Sequence, residues 1–280
     1  MAITEQDLGA DVRPTSAATL RLPARFYRLG TELDQPCVEA GFRHVDRTLD
    51  LPLGQTALVL VDVWNMHYVA SHVRRAHQIT VDYLVPALQA ARRGGMVVVH
   101  APSPPVARRY PQWTRYADEN AHHPPSAPTP DWPPADFRAR RGDYGVFGRY
   151  QEPHIEAWKK PYEKMMIADE VAPLPEEYVI ATGNQLHRLL RDRGILHLIY
   201  AGFATNMCVP GRDYGMKAFR DRGYNLVLLR DCTTAIEFHD TVGEGLVTEL
   251  WTRDLELQGS CFSTTSAVFR EACAAAEPHP

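Results

Sequence analysis

The sequence predicts an α/β fold in which helices cover both faces of a mostly parallel sheet. Short apolar runs without alternation recur along the chain, which is typical of strands buried on both faces of a parallel sheet. Segments with apolar residues at helical spacing separate these runs, and glycines end several of them. Strands and helices that alternate in this way indicate a three-layer arrangement in a single domain.

The first strong strand signal is Thr56–Asp62, an apolar run that ends on an acid. The carboxyl ends of parallel strands are where open α/β sheets place their sites, so Asp62 is well positioned for chemistry. A helix cap or a turn is the alternative role for this aspartate. The loop that follows carries Trp64 and His67.

The remaining elements follow in alternation. Strand signals lie at 96–99, 177–181, 195–201, 226–229 and 260–263, and helical periodicity lies at 83–91, 186–190, 242–255 and from 265 onward. Between the strands 195–201 and 226–229, a polar segment with three apolar positions predicts one crossover helix that Gly223 ends.

Cys208 lies at the start of that crossover helix, just after its strand. The amides at a helix N-terminus favour a thiolate and can also receive an oxyanion, so this cysteine is the candidate nucleophile. The other four cysteines are widely spaced with no CxxC pair, which indicates neither a disulfide framework nor a zinc site.

Two segments stand apart from the alternating pattern. Residues 1–54 are rich in turn-forming residues and are expected to form an N-terminal arm beside a single domain at 55–275. Residues 101–165 hold too many prolines for regular structure, yet keep aromatic anchors such as Trp113 and Trp132. A long ordered loop of this kind usually covers a site or an interface, so we expect a lid or a dimer arm.

Composition restricts the class of protein. The 280 residues are 45% hydrophobic, with a net charge of −4 that gives no electrostatic footprint for nucleic acid. No run approaches the roughly 18 apolar residues of a membrane helix, and the N-terminus has no signal-peptide pattern. We therefore expect a cytoplasmic protein with a small-molecule partner, without nucleic-acid or membrane partners, assembled as a homo-oligomer, either a dimer or a tetramer.

Four stretches together resemble the isochorismatase-like cysteine hydrolases, the family of nicotinamidases and N-carbamoylsarcosine amidase. They are ALVLVDVWN, VVVHAPS, RGILHLIYAGFATNMCV and RGYNLVLLRDCTTA, and the resemblance covers roughly 55–100 and 175–270. It implies a divergent member with a Rossmann-like three-layer fold and a six-stranded, mostly parallel sheet. It also implies a Cys-Asp-Lys triad that acts on C–N bonds of amides and ureido compounds.

Carried over position by position, the resemblance makes Cys208 the nucleophile and Asp62 the acid that takes its proton. It implies a cis peptide at Phe203-Ala204, with the amides of Ala204 and Cys208 forming the oxyanion hole. Trp64, His67 and Asn206 are the candidate substrate contacts; core packing is the other role open to Trp64.

The family lysine is missing from its usual place, which here reads Val179–Gly183. The chain has only four lysines, and Lys164, or Lys160 close to it, is the candidate that could fold back to the site from the Pro-rich insert. Otherwise Glu177 or His67 replaces the lysine, or the protein has lost hydrolysis.

No cofactor and no catalytic metal are expected. The metal-binding set of nicotinamidases, an acid and several histidines, is not reproduced, and adjacent His122 and His123 are interpreted as a surface pair. The leading hypothesis is a cysteine hydrolase that cleaves a C–N bond of a small amide or carbamoyl compound through an acyl thioester. The alternatives are an inactive binding or scaffold protein and an isochorismatase-type hydrolase that does not use the thiol.

Overall fold

An eight-stranded sheet organises the computed structural model, which describes residues 18–117, 130–257 and 261–276. The strands are β1 (Thr19–Arg28), β2 (Arg43–Pro52), β3 (Thr56–Val61), β4 (Val97–Ala101), β5 (Tyr178–Val179), β6 (His197–Gly202), β7 (Asn225–Leu229) and β8 (Cys261–Thr264). Their order across the sheet is β2-β1-β8-β7-β6-β3-β4-β5. The six strands from β3 to β8 pair in parallel, which confirms the predicted core.

Ten α-helices occur in the described ranges. They are α1 (Ala70–Ile79), α2 (Val85–Arg93), α3 (Pro104–Ala107), α4 (Ala135–Arg138), α5 (Pro153–Tyr162), α6 (Gly183–Asp192), α7 (Cys208–Gly211), α8 (Met216–Asp221), α9 (Leu246–Leu257) and α10 (Ser266–Ala276). A π-helical turn, Thr80–Leu84, joins α1 to α2. Among these helices, none combines the length and the apolar character needed to cross a bilayer.

The parallel strands are apolar throughout because both of their faces are buried. In β3, Leu58 and Leu60 pack in one core with residues of α2 and α10, whereas Val59 and Val61 pack in the other with residues of α6 and α8. Helices on both faces therefore require the continuous apolar runs seen in the sequence, and the three-layer prediction is confirmed.

Residues 19–52 of the expected N-terminal arm belong to the sheet, and residues 1–17 lie outside the described ranges. β1 and β2 pair along ten residues as an antiparallel hairpin. β1 then pairs with β8, the outermost of the parallel strands, through Arg25 and Ser263. Leu20 and Leu22 are fully buried, so the alternating apolar residues of β1 explain why this hairpin docks. The sheet consequently has two strands more than the six expected.

The predicted single crossover helix after β6 is wrong, because the structure has two short helices there. Helix α7 ends at Gly211, Arg212 is extended (φ −68°, ψ 157°), and α8 begins after Gly215. A Cβ at Gly215 would lie 2.7 Å from the Val209 carbonyl oxygen, so glycine permits the tight return of the chain. The break frees residues 212–214 to make contacts that a continuous helix would prevent.

The Pro-rich insert contains more regular structure than its composition indicates. It includes α3, α4 and α5 with 3₁₀ turns at Pro111–Tyr116 and Gly142–Phe147, while residues 118–129 lie outside the described ranges. Its end returns to the loop after β3, where the Ala168 amide donates to Val63 (2.9 Å) and the Asn65 amide donates to Met166 (3.1 Å). The insert is thereby fastened beside the carboxyl edge of the sheet.

Gly202 provides a test of how closely β6 and β3 approach at that edge. Its φ is +116°, and a Cβ there would lie 1.9 Å from the Val61 carbonyl oxygen. We expect Gly202→Ala to lower the free energy of unfolding by at least about 3 kcal/mol, since both the conformation and the contact exclude a side chain.

Urea unfolding measures this loss, and Gly243→Ala is the matched control because nothing lies within 4 Å of a Cβ at that position. The control should change the free energy of unfolding by less than about 1 kcal/mol. A Gly202→Ala protein as stable as the control would show that the two strands do not approach as described.

Candidate active site

Asp62 occupies the turn that follows β3, and its side chain is fully buried. Its φ is +46°, a left-handed conformation that aspartate and asparagine tolerate better than most residues. Oδ2 accepts two hydrogen bonds from Arg212, from Nε at 2.9 Å and from Nη2 at 2.8 Å. Oδ1 is also buried and has no hydrogen-bond partner among the described residues. One carboxylate oxygen is thus neutralised and the other stays available.

Arg212 reaches Asp62 from the break between α7 and α8. Its side chain is 33% exposed, so the guanidinium lies between the buried carboxylate and the surface. Burial opposes the charge of this group, but Asp62 and neighbouring groups outweigh that effect and raise the pKa of Arg212 well above its usual value. The arginine is therefore a permanent cation beside the aspartate.

The two residues after Arg212 fix its position. The Gly183 amide donates to the Asp213 carboxylate at 2.8 Å, and the Tyr214 hydroxyl donates to the Pro102 carbonyl at 2.9 Å. The Tyr200 hydroxyl donates to the Tyr214 carbonyl, also at 2.9 Å. Since Pro102 and Gly183 follow β4 and β5, the segment 212–214 is tied to the carboxyl ends of several strands at once.

Cys208 is the first residue of α7 and is half-buried beside this ion pair. Burial and the charge of Asp62 raise the pKa of Cys208 to about 12. The charge of Arg212 and the Ala204 amide act in the opposite direction and do not compensate. The four-residue helix α7 thus does not produce the resting thiolate that the sequence argument favoured, and the thiol is protonated at neutral pH.

The backbone before Cys208 is held against neighbouring loops. The Phe203-Ala204 peptide is cis, as the resemblance implied. The Gly202 amide donates to Cys232 at 2.9 Å and the Thr205 amide donates to Thr234 at 3.2 Å, which attaches this loop to the segment after β7. The backbone of Ala204 lies close enough to the Cys208 sulfur to act on the pKa of the thiol.

Asn206, a predicted substrate contact, has both polar atoms engaged within the protein. Its Oδ1 accepts from the Ile236 amide at 3.1 Å and its Nδ2 donates to the Ile236 carbonyl at 3.2 Å. The structure therefore gives Asn206 a bracing contact to the loop after β7.

The other two predicted contacts, Trp64 and His67, lie in an aromatic cluster. Their rings stack with centroids 5.2 Å apart, and Trp64 lies 6.2 Å from Phe203, the first residue of the cis peptide. Trp158 of the insert helix α5 lies 6.5 Å from His67. The cluster therefore joins the loop after β3, the loop after β6 and the insert.

His72 is the buried histidine of this cluster. Its ring lies 5.9 Å from that of Trp64 and 6.4 Å from that of Phe203, and neither ring nitrogen has a well-formed hydrogen bond in the described structure. Burial, together with the charges of His67 and Arg75, lowers the pKa of His72 to about 4. His72 is consequently neutral at physiological pH and acts as a packing group.

The structure does not bring the predicted lysine into the site. Lys164 is exposed just after α5, and the cation that contacts Asp62 is Arg212. Glu177, considered as a replacement, is bound to Arg92 (2.7 Å) and His100 (2.8 Å) instead. Burial opposes its charge, but hydrogen bonds from these groups and from a backbone amide lower the pKa of Glu177 to about 2.

Arg212 is not among the residues predicted from the sequence, because the family resemblance implied a lysine in this role. The available signal lay four residues after Cys208, where Pro210 and Gly211 precede the arginine and Gly215 follows it. Such a run favours a break after one helical turn. A break lets the side chain of the next arginine turn back toward the strand ends.

Within the described residues, no three His, Cys, Asp or Glu side chains are grouped as a metal site would require. His122 and His123 lie outside the described ranges.

Comparison with solved structures gives distant neighbours at low sequence identity. A cysteine hydrolase from Pseudomonas syringae pv. phaseolicola is 16% identical, with 81% of this chain and 95% of that chain covered and a TM-score of 0.47. For an isochorismatase from Pseudomonas putida the identity is 17%, the coverages are 77% and 90%, and the TM-score is 0.46. For N-carbamoylsarcosine amidase from Thermoplasma acidophilum these values are 16%, 76%, 96% and 0.39.

Among curated proteins, no sequence matches this chain. The family model of the isochorismatase domain, in contrast, matches residues 56–246, which is more than half of the chain and contains the ion pair and the thiol. The chain belongs to the isochorismatase family of hydrolases.

Proposed function

We propose that this protein is a cysteine hydrolase that cleaves a C–N bond in a small amide or carbamoyl compound. The observation that carries the proposal is the grouping of Cys208, Asp62 and Arg212, in which a thiol adjoins a carboxylate paired with a cation. A thiol, a base and a fixed charge that orients the base are the parts that nucleophilic acyl transfer requires.

In the first step, the Cys208 sulfur attacks the substrate carbonyl carbon as its proton passes to Asp62. Oδ1 is the oxygen that can take this proton, because Oδ2 is occupied by Arg212. A thiol that is protonated at rest needs such a base at the moment of attack. The negative charge that develops on the substrate oxygen is stabilised by the amides of Ala204 and Cys208.

In the following steps, Asp62 returns the proton to the leaving nitrogen as the C–N bond breaks, which leaves an acyl thioester on Cys208. Asp62 then removes a proton from water, which attacks the thioester carbon. The acid product departs, and the thiol regains its proton. Each proton that leaves a nucleophile is thus delivered to a leaving group, so Asp62 alone serves as base and acid.

Arg212 acts here as the cation of the triad in place of the family lysine. Its two hydrogen bonds to Oδ2 compensate the charge of the buried carboxylate, since an unpaired buried carboxylate is costly. A guanidinium holds its proton firmly, so we assign Arg212 to positioning and charge stabilisation rather than to proton transfer.

The aromatic cluster is proposed to bound the substrate on the side of the cis peptide. Trp64 and His67 supply flat apolar surface beside Phe203, and Trp158 brings the insert over them. An apolar wall opposite a few fixed polar groups is the usual construction of a small-molecule site. The insert, fastened along Met166 and Ala168, is proposed to limit the access of water to the thioester.

The arginine also bears on the alternatives. The missing lysine was the reason to consider an inactive scaffold protein, and Arg212 supplies a cation at the same carboxylate. Hydrolysis without the thiol is less well supported, because Cys208 adjoins Asp62.

The five cysteines form no disulfide, which supports the proposal of a cytoplasmic setting.

Trapping of the intermediate tests the role of Cys208. We expect incubation with a panel of small primary amides and N-carbamoyl amino acids to yield an acyl adduct on the Cys208 peptide by mass spectrometry. Cys208→Ala should lower turnover at least about 1000-fold, because it removes the nucleophile. The control is Cys37→Ala, which removes an exposed thiol of the hairpin connection and should leave turnover unchanged. Turnover that survives in Cys208→Ala would exclude the thiol mechanism.

The pH dependence of thiol modification tests the electrostatics of the site. With a pKa of about 12 for Cys208, its rate of alkylation by iodoacetamide should still rise about tenfold per pH unit between pH 8 and 10. Asp62→Asn removes the negative charge that raises this pKa, so thiolate should form at lower pH and alkylation at pH 8 should become faster, even as turnover is lost.

Peptide mapping separates Cys208 from the exposed Cys37, which serves as an internal reference in every sample. An alkylation rate of Cys208 that reaches a plateau below pH 9 in the protein without substitutions would contradict the electrostatic description. Slower alkylation of Cys208 in Asp62→Asn would also contradict it.

A further inference from the structure

A cleft of about 330 Å³ lies where the N-terminal hairpin meets the rest of the sheet. The hairpin wall of the cleft lies outside the family match, which covers residues 56–246. The lining residues come from β1, β2, the residue after β7, β8 and α10; they are Pro23, Ala24, Arg25, Asp46, Arg47, Thr48, Arg230, Thr264 and Val268. Three arginines therefore face one aspartate around this cleft.

The acids nearest to these arginines are already engaged in the structure. The fully buried carboxylate of Glu256 accepts hydrogen bonds from Arg25 Nε (2.9 Å), His44 Nε2 (2.7 Å) and Ser263 Oγ (2.5 Å). Asp231 accepts from the amide and the hydroxyl of Ser266 at the start of α10 (2.8 and 2.7 Å). Both carboxylates offset part of the positive charge of Arg25 and Arg230, but neither lines the cleft itself.

The partly buried arginines that line the cleft use few of their N–H donors within the protein. Among the described residues, Arg25 uses Nε for Glu256, and Arg230 uses Nη1 in a long 3.3 Å hydrogen bond to Ser263. Burial and the charge of Arg25 lower the pKa of Arg230, while Glu256, Asp231 and Asp46 act in the opposite direction. Like charges held together in a partly buried cleft repel each other, and an anion between them would relieve that repulsion.

We propose that this cleft binds a tetrahedral oxyanion, a phosphate group above all, held between Arg230, Arg25 and Arg47. Arginine forks match phosphate oxygens with paired N–H donors, and Thr48 adds a hydroxyl at the rim. Of these three residues, Arg230 and Arg25 are partly buried and Arg47 is exposed. The site is distinct from the thiol centre and does not depend on the proposed hydrolase function.

Calorimetric titration of the full chain with inorganic phosphate, against sodium chloride of equal ionic strength, tests this site. We expect saturable binding of phosphate, weakened about tenfold or more by Arg230→Gln and also by Arg47→Gln, because each removes a charged donor. The matched control is Arg43→Gln, an exposed arginine of the same hairpin outside the cleft, which should bind as the unmodified protein does.

Cys208→Ala should also bind phosphate with unchanged affinity, so failure of the hydrolase proposal and failure of this one are distinguishable. Because Arg47 is exposed, its substitution leaves the buried network intact even if Arg230→Gln lowers stability. Absence of saturable phosphate binding, or equal affinities in Arg47→Gln, Arg230→Gln and Arg43→Gln, would overturn the proposal.

Discussion

The ion pair between Asp62 and Arg212 is the interaction on which the candidate site depends. A fully buried carboxylate is costly unless it is paired, and here the paired N–H groups of one guanidinium bind a single carboxylate oxygen. This arrangement keeps the second oxygen free of protein donors in the described structure. The same contact thus stabilises the charge and leaves a carboxylate oxygen unpaired near Cys208.

The broken crossover helix is the structural condition for that ion pair. In a continuous helix from Cys208, Arg212 would follow the helical path past the strand ends. Because the backbone of Arg212 is extended instead, the chain turns back toward the strand ends. The neighbours of the arginine are then anchored to Gly183 and Pro102. Fold and site are therefore coupled, since contacts that close the sheet edge also set the position of the cation.

Much of this site could be predicted from the sequence because strand ends are readable. The apolar runs located Asp62 and the loop before Cys208, and the family resemblance implied the cis peptide that the structure contains. Arg212 could not be assigned from periodicity, because its role depends on a local break and on tertiary contacts of residues far apart in the chain. The two additional strands within 19–52 could not be predicted for a similar reason, since β1 pairs with β8, which lies more than 200 residues away in the chain.

The stability of Asp62→Asn, Arg212→Met and the double variant, measured by urea unfolding, tests the ion pair most directly. Arg212→Met leaves a buried carboxylate unpaired and should cost about 3 kcal/mol or more, while the double variant carries no buried charge. We expect the double variant to be more stable than Arg212→Met alone. A double variant that is less stable, with the two losses simply adding, would contradict an ion pair between these residues.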